Sequence, residues 1–199
     1  MKLRGLYAIT PGGADVVDKL RLALEGGVAL VQYRRKELSR ETVLQEARQI
    51  LALAHSHGVP VIVNDDVELA LEIGADGAHL GREDGDLRAA RKRLGGRILG
   101  ASCYDDIGAA QEAVRAGADY VAFGAVFASP TKPRAAHAPL SLFEKSRSLG
   151  VPLAAIGGIT LDNAPAVLAA GADLLAVLTD LFEAPDVRGR ARQYGKLFS

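Results

Sequence analysis

The chain has almost no cysteine. Cys103 is the only one in 199 residues, which excludes an internal disulfide and fits a reducing compartment. It has no net charge either: 24 Lys and Arg balance 24 Asp and Glu. No overall field therefore draws it to nucleic acid or to an acidic membrane surface, and any anion site must be local. Long hydrophobic runs are missing. An uncharged, apolar-rich run such as Tyr120 to Ala128 is far too short to cross a bilayer, and the opening MKLRGLYAIT lacks the apolar region and cleavage site of a secretory signal. A soluble, cytoplasmic protein with no nucleic-acid or membrane partner is expected. Zinc-spaced Cys and His, a Ser-His-Asp signature and a basic helix with interleaved aromatics are also lacking. What is present is a chain 49% hydrophobic, long enough for one sizeable core and short for two, so residues 1–199 are expected to form one domain.

Apolar runs alternate with helical patterns along the whole chain. Strands are expected at Leu6–Thr10, Val28–Tyr33, Val61–Val63, Gly77–Leu80, Arg97–Ser102, Tyr120–Phe123, Leu153–Ile156 and Leu174–Leu178. Helices fall between them: from Val16 to Gly26-Gly27, after a Ser39 cap, up to Gly74, and near 86–94, 105–116, 140–149 and 163–170. A last helix should run to about Leu197. Eight strands apolar enough to be covered on both faces, alternating with eight helices, predict an α/β fold: a parallel sheet closed as a (β/α)8 TIM barrel. A repeat supports closure, because Gly27-Val28-Ala29, Gly74-Ala75-Asp76, Gly117-Ala118-Asp119 and Gly171-Ala172-Asp173 each stop a helix before an even-numbered strand. An open doubly wound sheet is the rival, but its G-x-G-x-x-G after the first strand is absent.

In such a barrel every strand's carboxyl end lies on the face where active sites are built. Asn64-Asp65 and Asp84 end or follow neighbouring strands, close enough for Asp65 and Asp84 to share one small hard cation. Taken alone, each acid also fits a helix cap or a solvated loop. Gln32, Arg34, Arg35 and Lys36 bring donors beside them, a mixture suited to a diphosphate held partly by protein and partly by Mg²⁺, with 32, 34 and 36 pointing one way. The same run alone also fits a solvated basic turn. Gly157-Gly158-Ile159-Thr160 and Leu178-Thr179 match the phosphate cradle found after the seventh and eighth strands, although glycine also serves a plain tight turn. The segment Ser129 to His137 has too many breakers to be an element and reads as a loop or lid whose Ser129, Thr131 and Lys132 could close over a phosphate. Ser102 can donate a hydroxyl into the pocket or act as a cap. His79 fits a packed strand residue or a catalytic one, and Cys103 fits a buried thiol.

In order, LYAIT, VQYRRK, VIVNDDVELALEIGADGAHLGRED, ILGASCYDD, DYVAFGAVFASPTKP and AIGGIT resemble the thiamine phosphate synthase family over nearly the whole chain. The resemblance implies that Gln32, Arg34, Lys36, Asn64, Ser102 and Lys132 bind the diphosphate of an aminopyrimidine and that Asp65 and Asp84 hold Mg²⁺. Ser129 and Thr131, with the backbone at Gly158, Leu178 and Thr179, would hold a thiazole phosphate, and Tyr33, Arg35 and Pro130 adjoin this set. Arg34, Lys36, Ser102 and Lys132 would be the catalytic group. The implied reaction is a transfer: the thiazole nitrogen displaces pyrophosphate at the pyrimidine methylene through a cation-like centre, which needs no protein nucleophile. Arg82 departs from the glutamine common in the family. A related thiazole tautomerase looks similar but carries a histidine where this chain has Ala125. An isomerase on the same barrel is the alternative, and association with further copies of the chain is left open.

Overall fold

The computed structural model describes residues 3–35, 38–128 and 137–199. Its strands are β1 (Gly5–Ile9), β2 (Leu30–Tyr33), β3 (Val61–Asn64), β4 (Gly77–Leu80), β5 (Ile98–Tyr104), β6 (Tyr120–Phe123), β7 (Leu153–Ile156) and β8 (Leu174–Val177). They close in chain order, β8 pairing with β1, and every pairing is parallel. The intervening helices are α1 (Val16–Gly26), α2 (Arg40–Ser56), α3 (Val67–Ile73), α4 (Leu87–Leu94), α5 (Ile107–Arg115), α6 (Ser141–Ser146) and α7 (Ala164–Ala170), and α8 (Thr179–Phe182) and α9 (Val187–Gly195) follow β8. The expected (β/α)8 barrel is the observed fold.

The strands read as continuous apolar runs because each is buried on both faces. Their alternation shows instead in which of two cores a side chain joins. Tyr7, Ile9, Leu30, Ile62, Tyr120, Ala154 and Leu174 fill the barrel interior, while Leu6, Ala8, Val31, Val61, Val63, Ala78, Leu99 and Val121 pack outward against the helices. Cys103 is on the outward side, and burial pushes its thiol up to about 12, so it is the inert buried thiol expected.

The repeated Gly-Ala-Asp has a mechanical use beyond stopping helices. The Asp76 carboxylate accepts from the Val61 amide at 2.7 Å, Asp119 from Leu99 at 2.7 Å, and Asp173 from Leu153 at 3.0 Å. Each aspartate entering an even strand thus ties down an amide at the start of the odd strand before it, the first in β3 and β7 and the second in β5. At the fourth position Ala29 replaces the acid, and there a Cβ on Gly5 would come within 2.7 Å of the Ala29 methyl, so the strands approach too closely for a longer side chain.

Two expectations fail at the edges of elements. β5 runs on past Ser102 to Tyr104, with an irregular register between those residues. The terminal helix is two, because Pro185 cannot continue α8 and disfavours a helical residue before it, after which Asp186 caps α9 through the Gly189 amide at 2.9 Å. Among the described residues no helix is long and apolar enough to cross a membrane.

Candidate active site

At the carboxyl ends of the strands the structure sorts the two acidic clusters by role. Asp66 and Asp86 are the helix caps here, accepting from the Leu69 and Ala89 amides at 2.7 Å each. Asp65 sits in the left-handed region with φ 63°, its amide bonded to the His79 carbonyl at 2.8 Å and its carboxylate accepting from Asn64 Nδ2 at 2.5 Å. Asp84 folds back so that its Oδ2 accepts from the Gly81 amide at 2.8 Å. Asp65 and Asp84 line one cleft with Asp66, Glu68, Leu80 and Asp86. Asp66 and Glu68 are already paired, with Arg40 and Arg93 respectively. Among the described residues no group of three or more His, Cys, Asp or Glu side chains could hold a metal ion.

The basic run does not act together. Alternation keeps Gln32 in the barrel and turns Tyr33 outward, where its hydroxyl donates to Glu46 Oε1 at 2.9 Å beside α2. Arg35 follows Tyr33 outward: its guanidinium bonds Glu46 at 2.6 Å and the Gly13 carbonyl at 2.7 Å. Both side chains expected to adjoin substrate are therefore committed to the helix layer. Arg34 is held through its backbone, its amide donating to Thr10 Oγ1 at 2.9 Å. Lys36, Ser129, Pro130, Thr131 and Lys132 lie outside the described residues.

The glycine pair after β7 allows a close crossing. Gly157 and Gly158 have φ 95° and 63°, and a Cβ on either would come within 2.6 Å of the Ala125 or Ala128 backbone. Without side chains they let the segment after β6 extend the barrel, Val126 and Phe127 donating to the carbonyls of Ile156 and Gly157 at 3.0 Å. The glycines thus lay the start of the long loop over β7. Leu178 packs on the interior cluster and Thr179 opens α8, whose first amides have no partner within the helix.

Sequence reasoning missed a file of polar groups across the barrel interior. Gln32 Nε2 donates to the Tyr7 hydroxyl at 2.5 Å, Tyr7 and Tyr120 share a 2.8 Å hydrogen bond, Tyr120 meets His79 Nδ1 at 2.7 Å, and His79 Nε2 meets Ser102 Oγ at 2.8 Å. Two tyrosines on inward-facing strand positions were the available signal. All but Ser102 are buried. Burial pushes the His79 imidazole down from 6.5 to about 4, against a smaller opposing pull from the Asp84 charge, and raises both tyrosines.

The unfolded chain therefore takes up a proton near pH 6.5 that the native histidine refuses until about pH 4. His79 is expected to cost the native state nothing above that window and roughly 3 kcal/mol once pH has fallen through it. Urea midpoints from neutral pH to pH 4 should fall more steeply for the protein than for His79→Gln, and parallel curves would show that the histidine titrates normally.

A closed (β/α)8 barrel whose carboxyl-end mouth gathers carboxylates, amide and hydroxyl donors, a glycine turn after β7 and a short extra helix after β8 belongs to the class of barrel enzymes that take phosphorylated small molecules. The family model described as thiamine monophosphate synthase matches residues 6–181, and the chain belongs to that family. It is 59% identical to the thiamine-phosphate synthase of Aromatoleum aromaticum over 99% of this chain and 97% of that one. It is 52% identical to the synthase of an Azoarcus species over 100% and 98%. A solved thiamine phosphate pyrophosphorylase from Pyrococcus furiosus superposes with TM-score 0.88 at 34% identity, covering 98% of this chain and 96% of that chain. A 3-hexulose-6-phosphate synthase at 20% identity and TM-score 0.72 shares the fold.

Proposed function

We propose that the chain is a transferase making thiamine phosphate: it joins 4-amino-2-methyl-5-(diphosphooxymethyl)pyrimidine to a thiazole ethyl phosphate and releases pyrophosphate. The observation that carries this reading is the cleft shared by Asp65 and Asp84 beside Asn64, in a chain similar to named synthases over its full length.

Two carboxylates with no third protein ligand among the described residues suit a small hard cation that keeps several waters and takes its other oxygens from a substrate phosphate. Asp65 and Asp84 would hold Mg²⁺, which when bound supplies positive charge opposite a leaving diphosphate. Arg34, Lys36 and Lys132 would share that neutralisation. Asn64 and Ser102 would donate to phosphate oxygens, and Gln32 would orient the same end of the substrate. Gly158, Leu178 and Thr179 would offer backbone N–H groups to the second phosphate, with Ser129 and Thr131 closing over it. Holding both rings together in the mouth would favour attack by the thiazole nitrogen over attack by water. Small charged substrates and a single, buried Cys103 fit work in the cytoplasm. The isomerase alternative is not favoured: Ala125 has no group to move a proton, and the relatives compared are named as synthases.

Mixing the two precursors with Mg²⁺ should give thiamine phosphate and pyrophosphate in equal amounts, and a chelator should stop both. No product, or turnover indifferent to chelation, would remove the reading.

A further inference from the structure

We propose that the buried file Gln32–Tyr7–Tyr120–His79 is a positioning relay that runs in one direction and ends on Ser102, leaving the serine hydroxyl hydrogen to point into the mouth as a donor. This rests on the reading that Ser102 meets a substrate diphosphate.

Direction follows from counting hydrogens. The amide nitrogen of Gln32 can only donate, so the Tyr7 oxygen receives there, at 2.5 Å. Tyr7 must then spend its own hydrogen elsewhere, and the Tyr120 oxygen at 2.8 Å is its other partner among the described residues. Tyr120 in turn has Nδ1 of His79 at 2.7 Å. With Nδ1 accepting, a neutral imidazole carries its hydrogen on Nε2 and donates it to Ser102 Oγ at 2.8 Å. Reversed, the Tyr7 hydroxyl hydrogen would face an N–H with nothing to accept it, in a site where Tyr7 and Tyr120 are 1% and 0% exposed. An unpaired buried polar group is what folded interiors avoid.

The direction decides what Ser102 can do. A serine whose neighbouring histidine accepts its proton is an activated nucleophile. Here Nε2 already carries hydrogen, so Ser102 receives from His79 and is no nucleophile despite the 2.8 Å pair. Its remaining hydrogen can be given to an acceptor such as a phosphate oxygen, and donation along an aligned file polarises each member. Gln32 on β2, three strands away from Ser102 on β5, thereby biases the serine hydroxyl through four hydrogen bonds.

The test is the histidine tautomer in ligand-free protein labelled with ¹⁵N at histidine, near neutral pH, with the His79 signals identified by their loss in His79→Gln. The expected pattern is hydrogen on Nε2 and a bare Nδ1. Hydrogen on Nδ1 overturns the proposal whether or not the protein makes thiamine phosphate, and the Nε2 pattern in a protein without synthase activity leaves the relay standing while the functional reading falls. Ser102→Ala should keep the Nε2 tautomer, because Tyr120 still donates to Nδ1; a switch would overturn the direction. Tyr120→Phe removes that donor, and should blur the tautomer and raise KM for the pyrimidine diphosphate roughly tenfold, the scale of one hydrogen bond, with kcat changing less. A sharp wild-type tautomer in Tyr120→Phe would also count against the relay.

Discussion

Asp65→Asn is expected to lower turnover about a hundredfold or more, the scale of losing one preorganised charge contact at the reacting centre. Asparagine tolerates the left-handed backbone that Asp65 adopts at φ 63°, keeps the shape of the side chain, and leaves the amide free to bond the His79 carbonyl at 2.8 Å. What it removes is the charge. The loss should therefore come with an almost unchanged melting temperature and a shift of the Mg²⁺ dependence to higher concentration. Asp65→Ala should lose as much activity and some stability as well, because alanine gains nothing locally to offset a positive φ. Asp84→Asn, which keeps an acceptor for the Gly81 amide, should mirror Asp65→Asn in activity. Turnover near normal in either asparagine variant, with the fold intact, would take that residue out of any metal role.

The strands were legible because burial on both faces makes them continuous apolar runs separated by glycine and capping residues, so β4, β6 and β7 fall where the pattern places them. The same uniformity hid the interior. A run such as LYAI looks equally apolar at Tyr7 and at its neighbours, and only closure shows that Tyr7 faces Tyr120, with ring centroids 6.0 Å apart. Period two could have separated Gln32 from Tyr33 and Arg35, yet a run of five donors reads as one patch until α2 supplies Glu46 to draw two of them away. The acids show the opposite case. Asp65 and Asp66 are chemically identical in sequence, and what distinguishes them is that the Asp66 backbone is extended at the start of α3 while Asp65 turns through positive φ. Residue type pointed to phosphate and metal at the mouth as an expectation, whereas which side chains cap helices and which face the cleft needed the backbone.

Gly100→Ala is expected to be strongly damaging for the addition of a single methyl. A Cβ at position 100 would lie inside contact distance of three atoms of Tyr120, Cζ, Oη and Cε1. That ring cannot yield cheaply. It is fully buried, stands edge-on to Tyr7 at an interplanar angle of 85°, and its hydroxyl is bonded on both sides. Making room means breaking those bonds or pushing the wall outward, so overpacking and lost buried hydrogen bonds add to about 3 kcal/mol or more. Gly96→Ala is the control: a Cβ there meets nothing within 4 Å, and its effect should stay within about 0.5 kcal/mol. Combining Gly100→Ala with Tyr120→Leu should cost less than the two singly, because the second change vacates the space the first demands. Urea unfolding of the four variants decides the matter. If Gly100→Ala is as mild as Gly96→Ala, the interior is loose enough to move Tyr120, and neither its ring nor the hydrogen-bonded file through it can hold Ser102 in a fixed orientation.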